Sequence, residues 1–167
     1  NATLRLIGSE TISIGTHDTD SGTWEYVGDG DSAADTFTIK DFGATDYFNL
    51  TVNGTDAADV FQLGAALGLD GALTISSGIL SMAGNNISDA AGGAAATLGN
   101  IAGTLRLQGV ETVFWTTNDT NSGTYEYVGR NISETLTLLQ FTGADYYHLT
   151  INDANASKAT YQHSSAL

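Results

Sequence analysis

One stretch of twenty-seven residues occurs twice in this chain. Residues 2–28 read ATLRLIGSETISIGTHDTDSGTWEYVG and residues 103–129 read GTLRLQGVETVFWTTNDTNSGTYEYVG, with seventeen positions identical and no gap. A recurrence of that length within 167 residues marks a duplicated structural unit, so every motif has to be read against its own second copy. The likeness continues downstream. Residues 35–54, DTFTIKDFGATDYFNLTVNG, parallel residues 134–153, ETLTLLQFTGADYYHLTIND, and the run from Phe61 to Leu67 parallels that from Tyr161 to Leu167. The organisation expected is a module of about a hundred residues, with a first copy over 1–101 and a partial second copy over 102–167, continuous with the first.

Within the module, apolar residues alternate with polar ones, the period-two signature of half-buried strands. The inward sets are Leu4 and Leu6, Ile12 and Ile14, Trp24 and Tyr26, Phe37 and Ile39, Phe48 with Leu50 and Val52, Phe61 and Leu63, then Leu73, Ile75, Leu80 and Met82. Each run ends in Gly, Asn or Asp, which break strands and build turns. The small-residue segment 90–96, AAGGAAA, reads as a corner rather than a helix because of its paired glycines.

Two all-β solutions meet this pattern: a parallel β-solenoid (β-helix), or a tandem β-sandwich. A partial second copy favours the solenoid, in which each coil needs only its neighbours. So does LTISSGILSMAGNNI, which supplies inward aliphatic residues together with Thr, Ser and Asn for outward ladders. Neither end of the sequence reads as capped, so stacking is expected on neighbouring repeats of a longer chain or on further copies. The chain starts at Asn1 with no initiator Met or signal peptide, which reads as a processed product or a piece of something longer.

The succession GTWEYVG, YFNLTVNG and LGLDGALTISSGILSMAGNNI resembles the β-helix repeats of large bacterial exoproteins, the filamentous-haemagglutinin-like and autotransporter-passenger type of adhesins. The resemblance implies a secreted, extracellular or cell-surface role as a fibre, stalk or adhesin segment, and it carries no catalytic residues with it. A second reading of the same scaffold is a module whose outward Thr and Asn ladders or aromatic residues bind surface glycans.

The net charge of −14, with five Lys and Arg, opposes binding to nucleic acid, and no window is apolar enough for membrane insertion as a helix. The absence of Cys excludes disulfides and thiol chemistry. Asp18 and Asp20 in HDTDSGT, with the nearby Asp29 and Asp31, and Asp119 in the second copy NDTNSGT, have the alternating oxygens of a calcium loop. An EF-hand is excluded, since its sixth position is Thr23 and its twelfth is Asp29 in one copy but Arg130 in the other. The competing reading is that these acids bond their own turn backbone. Calcium is thus a candidate ligand, and no cofactor is otherwise required.

Glu25 and Glu126 lie between aromatic residues, as the carboxylates of a glycosidase would, but both fall on outward strand positions and are expected to be exposed. His17, His148 and His163 are not at metal-ligand spacing, and there is no G-x-S-x-G elbow. The expected protein is not an enzyme.

Overall fold

The computed structural model describes residues 2–90 and 96–164, and among these every regular element is a β-strand. Two long sheets carry most of them. The first is ordered β1(Thr3–Leu6), β2(Thr23–Tyr26), β4(Asn49–Asn53), β7(Ala72–Ser77), β10(Thr97–Ile101). The second is ordered β3(Thr36–Ile39), β5(Val60–Leu63), β8(Ile79–Ser81), β11(Thr104–Leu107), β12(Thr124–Tyr127), β14(His148–Ile151). Two short ladders complete the set, β6(Leu67–Leu69) with β9(Ile87–Asp89), and β13(Thr135–Thr137) with β15(Thr160–Gln162).

All pairings are parallel, and paired strands lie 19 to 26 residues apart in sequence. From β4 to β11 the chain visits the first sheet, the second and the short third in strict rotation. The fold is therefore a three-sided parallel β-solenoid, each coil lying on the one before.

Stacking puts like residues over like. In the first sheet Leu4, Trp24, Leu50, Leu73 and Leu98 form one inward column. In the second, Phe37, Phe61, Leu80, Leu105, Tyr125 and Leu149 form another. That column runs through the junction between the two copies of the repeat, because β8 of the first pairs with β11 of the second. Leu50, Phe61, Leu73, Ile75, Leu80, Met82 and Leu105 are wholly buried, each worth about 1.5–3 kcal/mol of apolar burial.

The interior departs from the alternation pattern in three places. No strand forms over residues 10–15, where Ile12 is half-buried and Ile14 is 47% exposed. That segment is irregular and links β1 to β2, one coil on. Leu4 faces the same side as Leu6 but is exposed, because β1 is an edge strand. A bend at Phe48 resets the phase, so Tyr47 is the fully buried residue and Phe48 is half-buried. Of the expected corner at 90–96, residues 91–95 lie outside the described residues.

The duplicated unit is preserved with an offset. In the first copy β1, β2 and β4 pair in succession in the first sheet, and their counterparts β11, β12 and β14 pair in the same succession in the second. The repeat therefore recurs after four coils and one further face. Local chemistry follows it. Tyr26 and Tyr47 share a hydroxyl contact of 3.0 Å, with the Lys40 N–H donating to Tyr26 Oη at 3.1 Å; Tyr127 and Tyr146 meet at 3.2 Å, with the Leu139 N–H donating to Tyr127 Oη at 2.9 Å.

Candidate functional site

The outward carboxylates between the aromatic residues are not exposed. Glu25 is 8% and Glu126 9% exposed, each covered by the coil on either side. The Arg5 Nε–H donates to Glu25 Oε2 at 2.9 Å and Asn53 Nδ2 to Oε1 at 2.8 Å; the Arg106 Nε–H donates to Glu126 Oε2 at 2.6 Å and Asn152 Nδ2 to Oε1 at 2.8 Å. The result is an Arg–Glu–Asn ladder spanning three coils, once on each long sheet. The bond from Asn53, joined by Arg5, outweighs the upward push of burial and holds the Glu25 carboxyl below its usual range. For Glu126 burial pushes upward, and Asn152 and Arg106 overcome it.

The calcium-loop acids separate into two groups. Asp18 Oδ1 accepts the Asp20 N–H at 3.0 Å and its Oδ2 accepts the Ser21 hydroxyl at 2.5 Å. Asp119 repeats that turn, accepting from the Asn121 N–H at 3.0 Å and the Ser122 hydroxyl at 2.9 Å, and also from the Ile101 N–H of the coil below at 3.1 Å. These are turn-building carboxylates bonded to their own backbone. Asp31 builds a turn of the same kind, its Oδ1 accepting the Ala33 N–H at 2.7 Å, but it and Asp29 also meet acids that their spacing does not reveal.

The corner where the first sheet turns into the second gathers five carboxylates from two successive coils. Asp29, Asp31 and Asp35 lie between β2 and β3, and Asp56 and Asp59 lie between β4 and β5. Carboxylate oxygens of Asp29, Asp31 and Asp35 lie within 4.8 Å of one another, as do those of Asp29, Asp56 and Asp59. The loops are held in place by bonds between coils: the Ser32 N–H donates to Asp56 Oδ2 at 2.9 Å, the Asp35 N–H to Asp59 Oδ1 at 3.2 Å, and the Thr55 N–H to the Val27 carbonyl at 2.8 Å.

Asp59 is wholly buried, and its Oδ2 has no hydrogen-bond partner. That atom faces Gly28, whose φ of +73° places a hydrogen where a Cβ would strike the carboxylate. Burial first, and then the charges of Asp56, Asp29 and Asp35, push the Asp59 carboxyl above its ordinary value against the bond from the Asp35 N–H. Asp35 is pushed up for the same reasons, burial first and then Asp29, Asp31 and Asp56. Among the described residues no Lys or Arg serves this corner: Arg5 and Arg106 are in ladders, Lys40 lies over the Phe42 ring at 5.8 Å, Arg130 pairs with Glu134, and Lys158 donates to the Asp153 carbonyl.

The second copy builds the same corner with different charges. Arg130 stands where the first copy has Asp29, Glu134 where it has Asp35, Asn155 where it has Asp56, and Lys158 and Ala159 precede β15 as Ala58 and Asp59 precede β5. Arg130 binds both oxygens of Glu134, through Nε at 3.0 Å and through Nη2. The carboxylate facing the equivalent Gly129 is Asp153, which sits where the first copy has Gly54, and it is fully served. Its Oδ2 accepts from the Ala159 N–H at 3.0 Å and the Tyr161 hydroxyl at 3.2 Å, and its Oδ1 from Asn155 Nδ2 at 2.8 Å. The bond from Ala159, ahead of the others, holds this carboxyl below its ordinary value.

His17 and His163 take structural positions, and His148 is exposed on the edge strand β14. His17 Nε2 is 2.6 Å from the Asp46 carbonyl oxygen, Asn118 makes the counterpart bond to the Asp145 carbonyl, and His163 Nε2 lies 3.2 Å from Asp145 Oδ2. A cleft of about 450 Å³ beside Gly8, Tyr26 and Lys40 holds Glu10, whose oxygens accept the Ile7 and Gly8 N–H groups at 2.7 Å each. No protein-family model, curated protein or solved structure matches this chain.

Proposed function

We propose that the chain is a non-enzymatic structural module of a secreted or cell-surface bacterial fibre, stalk or adhesin, of the kind its resemblance to large exoproteins implies. The observation that carries this reading is the repeat junction. The second copy begins one face on, and the inward column of the second sheet runs through the junction from Leu80 in β8 to Leu105 in β11, so the unit adds length by continuing itself. The outward carboxylates that a glycosidase would need are engaged in the Arg–Glu–Asn ladders. The edge strands β1 and β14 present backbone rows on which a further coil, from the same chain or another copy, adds by parallel pairing.

Scattering from proteins carrying one, two and three tandem modules tests this. With coils about 4.8 Å apart, four coils and a face lengthen the particle by about 20 Å per module at constant cross-section. Growth in all three dimensions would sink the reading. Retention on a glycan array by the single module, without elongation or assembly by electron microscopy, would favour the ligand-binding alternative.

A further inference from the structure

We propose that the acidic corner formed by Asp29, Asp56 and Asp59, flanked by Asp31 and Asp35, is a calcium site that staples two successive coils of the first copy. Two observations carry it beyond a cluster of acids. The first is Asp59, a wholly buried residue whose Oδ2 has no hydrogen-bond partner and whose carboxylate belongs to a set, with Asp29 and Asp56, that has ligand atoms within 4.8 Å of one another. A buried carboxylate oxygen left without a donor is costly in a folded chain, and a hard cation removes that cost by direct coordination. The second is internal to the sequence. At the equivalent corner of the second copy the chain supplies Arg130 opposite Glu134, adds Lys158, and gives its glycine-facing carboxylate four donors. The same backbone corner thus exists once with its positive charge built in and once without it.

Calcium fits better than magnesium. The ligands are carboxylates on two loops, which suit the irregular coordination by six to eight oxygens at about 2.3–2.6 Å that calcium accepts, whereas magnesium demands a tight octahedron and keeps its waters. Asp29 belongs to both carboxylate triads, so it is the bridging ligand between the coil that carries β2 and the coil that carries β4. The ion crosslinks the two loops at the corner without contributing to the apolar columns.

The test uses the whole chain, stripped of metal by chelation and titrated with calcium and separately with magnesium, by calorimetry and by thermal unfolding. The expected result is saturable calcium binding at sub-millimolar concentration, weaker magnesium binding, and a melting temperature raised by roughly 5–10 °C at calcium a hundredfold above Kd. Asp59→Asn is expected to weaken calcium binding at least tenfold, and to melt higher than the unmodified chain in the presence of EGTA because it relieves the buried charge. Glu134→Gln, in the second copy, is expected to leave calcium binding unchanged. Absence of a heat signal and of any melting shift in millimolar calcium would overturn the proposal. So would binding that survives both Asp59→Asn and Asp56→Asn. Should Asp59→Asn fail to fold, Asp56→Asn alone decides: unchanged affinity overturns the assignment, and a tenfold loss supports it.

Discussion

The two copies of the repeat share a backbone and differ in how they balance charge at one corner. In the first, five carboxylates converge and Asp59 is buried with an oxygen unserved; in the second, Arg130, Glu134, Asn155 and Asp153 satisfy one another at the same turn of the path. The inward positions persist through this exchange, since Phe61 and Tyr161 follow the corner in the two copies at equivalent strand positions, and only the Tyr161 hydroxyl reaches into the corner, to Asp153. The corner loops are therefore free to diverge while the strands are not. A solenoid sets its coil by its columns and leaves its corners to be specialised copy by copy.

The sharpest way to break the comparison is to move the second copy's charge into the first. Asp29→Arg is expected to stabilise the calcium-free chain by several degrees, to abolish its response to calcium, and so to make the first corner behave like the second. Melting curves with and without EGTA check both halves. A variant that still gains stability from calcium would show that the two corners are not alternatives. Hydrogen exchange sharpens the same point, since chelation should deprotect amides around β2 to β5 and leave β12 to β15 unchanged.

Next in size are the tyrosine pairs. Tyr47 is fully buried and Tyr146 only half-buried. Tyr47→Phe leaves the Lys40 carbonyl and the Tyr26 hydroxyl without it, at a cost of about 1–3 kcal/mol, and Tyr146→Phe is expected to cost less. Denaturant unfolding of both variants orders them, and an inverted order would show that coil position rather than burial sets the cost.

The ladders come third. The Arg106 side chain is 27% exposed and that of Arg5 67%, because Arg106 has a strand on both sides and Arg5 lies in an edge strand. Glu126→Gln is therefore expected to cost about 1 kcal/mol and Glu25→Gln about half that, with the difference shrinking in high salt. Both glutamates have folded pKa values below their ordinary ones. Their contribution is accordingly complete above the ordinary glutamate pKa and is lost as pH falls through the folded values. Loss of the wild-type excess over Glu126→Gln on acidification, followed by equal stabilities, checks the sign. The smallest effect is expected of Asp119→Asn, which keeps one acceptor oxygen for its turn and for the Ile101 N–H of the coil below, with stability changed by under about 1 kcal/mol and calcium affinity unaltered.

The strands were legible from the sequence because burial in a stacked coil imposes period two. What the alternation misplaced lies where the chain bends: Phe48 for Tyr47, and the strand expected through Ile12 and Ile14. A bend changes phase without changing composition. Of the acids picked out by spacing, Asp18, Asp31 and Asp119 bond their own turns, and Asp29 and Asp31 also lie against acids further along the chain. Asp56 and Asp59 escaped notice because the contact that unites Asp35 with Asp59 spans 24 residues, one coil, and coil length is set by register rather than by any local motif. The signal that would have found them is the second copy, where Arg130, Asn155 and Lys158 stand in or beside the places of acids.

The offset of the repeat by one face also fixes a heading. Any mark borne once per module, such as the Arg–Glu–Asn ladder, points a third of the way round from its predecessor and regains its bearing only after three modules. A rod wound by that rule has no front and no back. Whatever its modules carry would be met from every side by whatever approaches.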